Sequence, residues 1–263
     1  MDPTHALIAM VIGLMTGGLT SLIGASGVTI VVPALTMIYG AGIHTAIGTS
    51  LFVDVVASVA VAISYFRNGR IEMRSAIAMT VASMIGAQLG ASLAGSMGDS
   101  GLASAFGGFL VLAGLILLWK NRRTKAESTK GDGRPVRFKT PWIKTVITLV
   151  LGLGIGMVSG IFGAGGGVLV LMSLVAVLSF PLHVAIGTST LIMALTALSS
   201  TIGYAARGNI DFVLGGFLAA GAVVGGIIGS RYANSVNERT LRFVVSICFI
   251  AIGIVMTALM LAR

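Results

Sequence analysis

Blocks of apolar residues, most of them about as long as a bilayer is thick, leave this chain few ways to fold. They lie at approximately 5–23, 28–39, 46–66, 75–96, 102–119, 143–162, 167–180, 185–206, 212–230 and 241–261. A spanning helix needs about 20 such residues, so eight to ten segments would take up roughly 160 to 200 positions. The 263-residue chain can supply them, being 56% apolar and only 10% charged. A water-soluble chain of this length carries far more polar surface. In hydrocarbon an unpaired backbone is too costly for anything but helices or closed barrels, and the alternating pattern of barrel strands is absent. The expected fold is an all-α polytopic membrane protein with about 8–10 membrane segments. The single cysteine, Cys248, excludes a disulfide scaffold and a cysteine metal cluster, and reads as packing.

A net charge of +9 raises the question of nucleic acid, which the distribution of the 17 basic residues answers. Nine of them, from Lys120 to Lys144, crowd one polar stretch with only Glu127 and Asp132 as acids. Arg67, Arg70 and Arg74 fall between two apolar runs, and Arg231, Arg239 and Arg242 between two others. Lys and Arg accumulate in short cytoplasmic loops. If all ten runs cross, the three clusters share the cytoplasmic face and both termini lie outside, so the expected location is the plasma (inner) membrane. The partners expected are the lipid bilayer and a small solute, not nucleic acid. The stretch from Met1 to Gly18 lacks a basic n-region and a small-residue cleavage site, and reads as a retained first helix. Arg207 falls on the outer side, where the orientation rule does not explain it; with Arg67 it could steer anions.

The chain is written twice. Shifted by 139 positions, Gly24-Ala25-Ser26-Gly27 falls on Gly163-Ala164-Gly165-Gly166, and His44 through Ser50 falls on His183 through Ser189. Tyr65 meets Tyr204, Gly69 meets Gly208, Ile71-Glu72 meets Ile210-Asp211, and Gly86 and Gly90 meet Gly225 and Gly229. The division is a first membrane repeat over 1–119, a basic cytoplasmic linker over 120–142 and a second repeat over 143–263. Each repeat holds five apolar runs, an odd number, so the copies should enter the membrane from opposite sides. Such inverted-topology repeats are common in secondary transporters, with binding near the midplane where short, Gly-interrupted segments meet. The short segments here, 28–39 and 167–180, are equivalent, and are read as full crossings or as half-helices.

The glycine runs precede those short helices, so their N–H groups can face the protein centre and attract an anion. The candidate donors are Gly24, Ser26 and Gly27 in one repeat and Gly163, Gly165 and Gly166 in the other. Thr49, Ser50, Thr188 and Ser189 follow at the expected start of the next long helices, where a hydroxyl caps the helix or turns to a ligand. His44 and His183 sit just before those starts and can exchange a proton near neutral pH, or simply bond the backbone. Asp54 is the one acid inside an expected span, and Met193 takes its place in the second repeat. An ionisable group there is costly and usually functional, so Asp54 is the candidate for coupling to a proton or a cation such as sodium. Gly86, Gly90, Gly221, Gly225 and Gly229, spaced by four, read as a helix-packing seam.

These residues resemble the sulfite exporter TauE/SafE family of membrane permeases. The resemblance is carried by Gly163 through Gly167 before a short run, by Pro181 through Ser189, and by Arg207-Gly208-Asn209-Ile210-Asp211. In the first half it is carried by the glycine motif followed by Pro33, and by His44 through Ser50. It covers nearly the whole chain outside the linker, and implies transport of sulfite, organosulfonates or related sulfur-containing anions. Ser26 and Val28 interrupt the first glycine run and Met172 stands where Pro33 has its counterpart, so the half-sites need not be equivalent. A passive anion channel is one rival. Another is an intramembrane serine protease, since Gly24-Ala25-Ser26-Gly27 fits G-x-S-G, although Gly165 at the duplicate position cannot be a nucleophile. No nucleotide-binding loop is present, and neither cofactor nor catalytic residue is expected.

Overall fold

The computed structural model describes residues 3–23, 26–67, 69, 71–109, 111–112, 115, 141–163, 166–176, 180 and 182–232. The basic stretch over 120–140, the last apolar run with Cys248, Gly24, Gly165 and Pro181 lie outside them. Every regular element among the described residues is a helix. In chain order they are α1 (Pro3–Ile23), α2 (Val28–Met37), α3 (Ile43–Arg67) and α4 (Met73–Ser96). A helix over residues 99–109, α5, follows. The second half contributes α6 (Pro141–Phe162), α7 (Gly167–Ala176), α8 (Leu182–Ala205) and α9 (Phe212–Tyr232). The described helices fall into two units, one holding α1–α4 and α6–α9 and the other α5.

Six of the described helices, α1, α3, α4, α6, α8 and α9, are long and apolar enough to cross a membrane. The chain is a multi-pass, all-helical membrane protein. The runs at 28–39 and 167–180 become helices of only 10 residues each. At 1.5 Å per residue the described part of each is about 15 Å long, half the hydrocarbon thickness and shorter than a crossing requires.

The packing of the larger unit repeats itself across the two halves. The first helix of each half lies along the fourth helix of the other, α1 on α9 and α6 on α4. The long third helices α3 and α8 meet each other, and each also touches the other half's fourth helix. Small residues make the close pairs possible. A Cβ on Gly86 would fall 2.2 Å from the Leu153 carbonyl oxygen, and on the equivalent Gly225 2.0 Å from that of Leu14. Gly90 is pressed against Met157 and Gly221 against Met10 in the same way, and Gly229 packs on Gly18 and Ser21. The glycine seam expected from the sequence is thus a helix-packing surface.

The faces turned outward are apolar. On α4, Ile77, Val81, Ile85, Leu89 and Leu93 form one exposed stripe; Leu7, Val11 and Leu14 do so on α1, and the equivalent Val146, Val150 and Leu153 on α6. In water such faces would aggregate, but in lipid they cost nothing. The polar side chains go inward: Ser83 and Thr196 hydroxyls pair at 2.6 Å, and Gln88 Nε2 donates to the Ser199 carbonyl at 2.5 Å, both between α4 and α8. Enclosed α3 and α8 therefore sit centrally, flanked by the short helices α2 and α7.

Candidate functional site

A helix that begins inside the protein starts with N–H groups that have no carbonyl one turn behind them. For α2 the chain solves this with a residue from another helix. Asp54, fully buried in the middle of α3, accepts the Ser26 hydroxyl on Oδ2 and the Gly27 N–H on Oδ1 at 3.0 Å. Ser26 Oγ in turn accepts the Val28 N–H at 3.2 Å. The carboxylate thus caps α2 from outside, at the end where the helix dipole favours negative charge. Gly27 must be glycine for space: a Cβ would overlap Thr16 Cγ2 and lie 3.5 Å from Asp54 Oδ1.

The second break is built differently. Gly163 and Gly166 take φ of +69° and +68°, a left-handed conformation that side chains resist, so the chain turns sharply before α7. Met193 stands where Asp54 would be, and no carboxylate of α8 meets the α7 N-terminus. A Cβ on Gly163 would fall 2.8 Å from Ile47 Cγ2 and 3.3 Å from both Ser50 Oγ and Val28 Cγ2. The second break therefore touches α3 and the first turn of α2: the two interruptions converge in the interior. Tyr204 on α8 closes the neighbouring helix end, its hydroxyl donating to the carbonyls of Gly160 and Ile161 at 3.3 and 3.2 Å.

The Gly-Thr-Ser segments were expected at helix starts, with the histidines just before them. The structure corrects this: α3 begins at Ile43 and α8 at Leu182, so the Gly-Thr-Ser segments lie one to two turns inside and cap neither of their own helices, while the histidines fall in the first turns. The cause is that Ile43-His44-Thr45 is polar enough to fall outside an apolar run but still helical. Thr49 Oγ1 accepts the Asp211 N–H at 2.9 Å, and Thr188 Oγ1 accepts the Glu72 N–H at 3.0 Å. These are the same contact made twice with the halves exchanged. Ser50 and Ser189 bond back to Ile47 and Ile186 one turn earlier, at 2.8 and 2.9 Å. All four hydroxyl residues are fully buried. His44 is half-buried in the first turn of α3, and His183 lies in the first turn of α8.

Ser26, Gly27, Thr49, Ser50, Gly163, Thr188, Ser189 and Asp54 thus line the breaks and the two central helices around them. Sequence reasoning assigned no role to Thr16, whose side chain abuts Gly27, nor to the backbone N–H groups of Glu72 and Asp211. A signal for the last two existed, because Ile71-Glu72 and Ile210-Asp211 are duplicated. Asp211 also caps α9, its Oδ1 accepting the N–H groups of Val213 and Leu214. Among the described residues no group of three or more His, Cys, Asp or Glu side chains could hold a metal.

The chain is similar to proteins named as probable membrane transporters. The chain is 25% identical over 263 residues to the probable membrane transporter protein YunE of Bacillus subtilis, covering 94% of this chain and 95% of that protein. It is 25% identical over 236 residues to the probable membrane transporter protein YdhB of the same organism, covering 90% and 92%. A probable membrane transporter protein of Xylella fastidiosa is 27% identical over 253 residues, covering 94% of each chain. No solved structure matches. The model of the sulfite exporter TauE/SafE family matches residues 9–256, nearly the whole chain, and the protein belongs to that family.

Proposed function

We propose that the protein is a secondary transporter that moves a small sulfur-containing anion, sulfite or an organosulfonate, across the plasma membrane by alternating access. One observation carries the reading: two interrupted helices, one from each half, bring their glycine turns together beside Ser50 in a polar-lined interior. Helix N-termini and hydroxyls bind oxyanions without a buried arginine. The anion site lies on the side of the second break, with Gly163, Gly166, Ser50, Thr49, Thr188 and Ser189 around it. The first break is the poorer anion site because Asp54 already takes its donors. Asp54 then serves coupling, with His44 and His183 flanking the central helices.

The halves take opposite orientations in the membrane, and exchange of their conformations opens the site to one side and then the other. The reciprocal Thr49 and Thr188 contacts support this, since each ties a loop of one half to the central helix of the other. The basic linker over 120–142 faces the cytoplasm.

The test is flux in proteoliposomes with sulfite, sulfate, thiosulfate, sulfoacetate and taurine. A carrier shows saturable counterflow, with labelled anion driven uphill by exchange. A passive channel shows none. If every anion is inert, the reading is wrong. Ser26→Ala should keep substantial flux, because the Gly27 N–H and the second break remain; complete loss together with a peptidase activity in the wild type would favour a protease.

A further inference from the structure

We infer that three side chains brought to the first break, Thr16, Ser26 and Asp54, form a binding site for a small monovalent cation, sodium fitting best. Asp54 is fully buried, and its hydrogen-bond partners are a hydroxyl and a backbone N–H, neither of which carries a formal charge. Thr16 on α1 is also fully buried and its side chain abuts the same turn, its Cγ2 methyl filling the space that a Gly27 side chain would need and its hydroxyl branching from the same Cβ. The Thr16 hydroxyl oxygen is buried without a hydrogen-bond partner. A buried hydroxyl left unmatched costs about 1–3 kcal/mol, so its retention asks for a use.

Comparison of the halves supplies one. The positions equivalent to Thr16, Ser26 and Asp54 are Ile155, Gly165 and Met193, none of which has a side-chain oxygen. Ile155 indeed packs on Gly166 as Thr16 packs on Gly27. All three oxygens are therefore present at one break and absent from the other, which packing alone would not require. Their chemistry is that of a hard cation: oxygen donors only, and one negative charge, too few for a divalent ion. The C-terminal end of α1, four residues upstream of Gly27, adds the negative pole of a helix dipole that offsets the positive pole of α2. In the bound state Asp54 Oδ1 keeps the Gly27 N–H, while the Ser26 hydroxyl turns its proton away and offers a lone pair beside Oδ2 and Thr16 Oγ1, with water completing the shell.

The coupling role of this site rests on the transporter reading, because a cation here would lie against the α2 turn that Gly163 touches and would favour an anion at the second break. Its existence does not. Equilibrium binding of radioactive sodium to the purified full-length protein tests it directly. Saturable binding is expected, displaced by unlabelled sodium but not by choline. Thr16→Val and Asp54→Asn should each weaken it by about tenfold or more, whereas Thr16→Ser should stay within about threefold of wild type. Elution as a folded species controls for damage, and Thr16→Ala replaces Thr16→Val if the latter fails that control. No saturable binding by the wild type, or unchanged binding by the variants lacking the Thr16 hydroxyl, overturns the inference. Sulfite accumulation in proteoliposomes that follows a proton gradient and ignores sodium overturns the coupling role. Sodium binding by a protein that moves no anion under any gradient would instead overturn the transporter reading and leave the cation site standing.

Discussion

Asp54 is bound to two neighbours through two different oxygens, which makes its substitution informative. Asparagine keeps one carbonyl oxygen for the Gly27 N–H and removes the charge; alanine removes both. In Asp54→Asn vesicles, gradient-driven accumulation should fall to the level set by exchange alone, while Asp54→Ala should also lower the thermal midpoint of the purified protein, because the start of α2 loses its cap at a cost of about 1 kcal/mol. Unchanged accumulation by Asp54→Asn would remove the coupling role. Thr49 and Thr188 allow a paired prediction. Replacing either with valine strands a backbone N–H, that of Asp211 or Glu72, and should cost about 1 kcal/mol each. If the halves alternate, the two substitutions should shift the site toward opposite faces of the membrane, read as opposite changes in labelling of a reporter cysteine by an impermeant reagent. Shifts in the same direction would contradict alternation. Little of this was legible in the residues themselves. The Thr49 contact spans 162 positions of sequence, and the empty bonding capacity of Thr16 is a property of its surroundings.

At the scale of helices, the sequence speaks more plainly, because hydropathy reports the solvent and the solvent here is lipid. The long runs became long helices, with ends displaced by a few residues where polar side chains continue a helix into the interior, as at Ile43-His44-Thr45. The short runs became short helices, described over 28–37 and 167–176, whose starts are set by the glycine turns upstream of them. The crossing of α1 with α9 and of α6 with α4 was not legible, although its means were: glycines spaced by four mark a close contact without naming the partner. Gly86→Leu should push against the Leu153 carbonyl and Gly225→Leu against that of Leu14. Each should cost roughly 1–3 kcal/mol or more and reduce the yield of monodisperse protein, whereas Gly216→Leu, which meets open space, should not. Equal yields from all three would mean that the seams are looser than the glycines imply.

For the whole molecule, duplication is the property from which the proposed orientation and the proposed transport cycle both follow. A cysteine placed at Ser128 in a chain lacking Cys248 should react with an impermeant reagent only after the membrane is opened from the cytoplasmic side; reaction in intact cells would reverse the orientation. The interleaving of the halves also bears on how the protein is made. As the ribosome delivers α1, the groove that will receive it does not yet exist, and α9 arrives almost two hundred residues later. Until then the Gly13 and Gly17 face of α1 has no permanent neighbour, and a product ending in the basic stretch would expose it for good. Nascent chains stalled before α9 should therefore be degraded by membrane proteases faster than the complete protein.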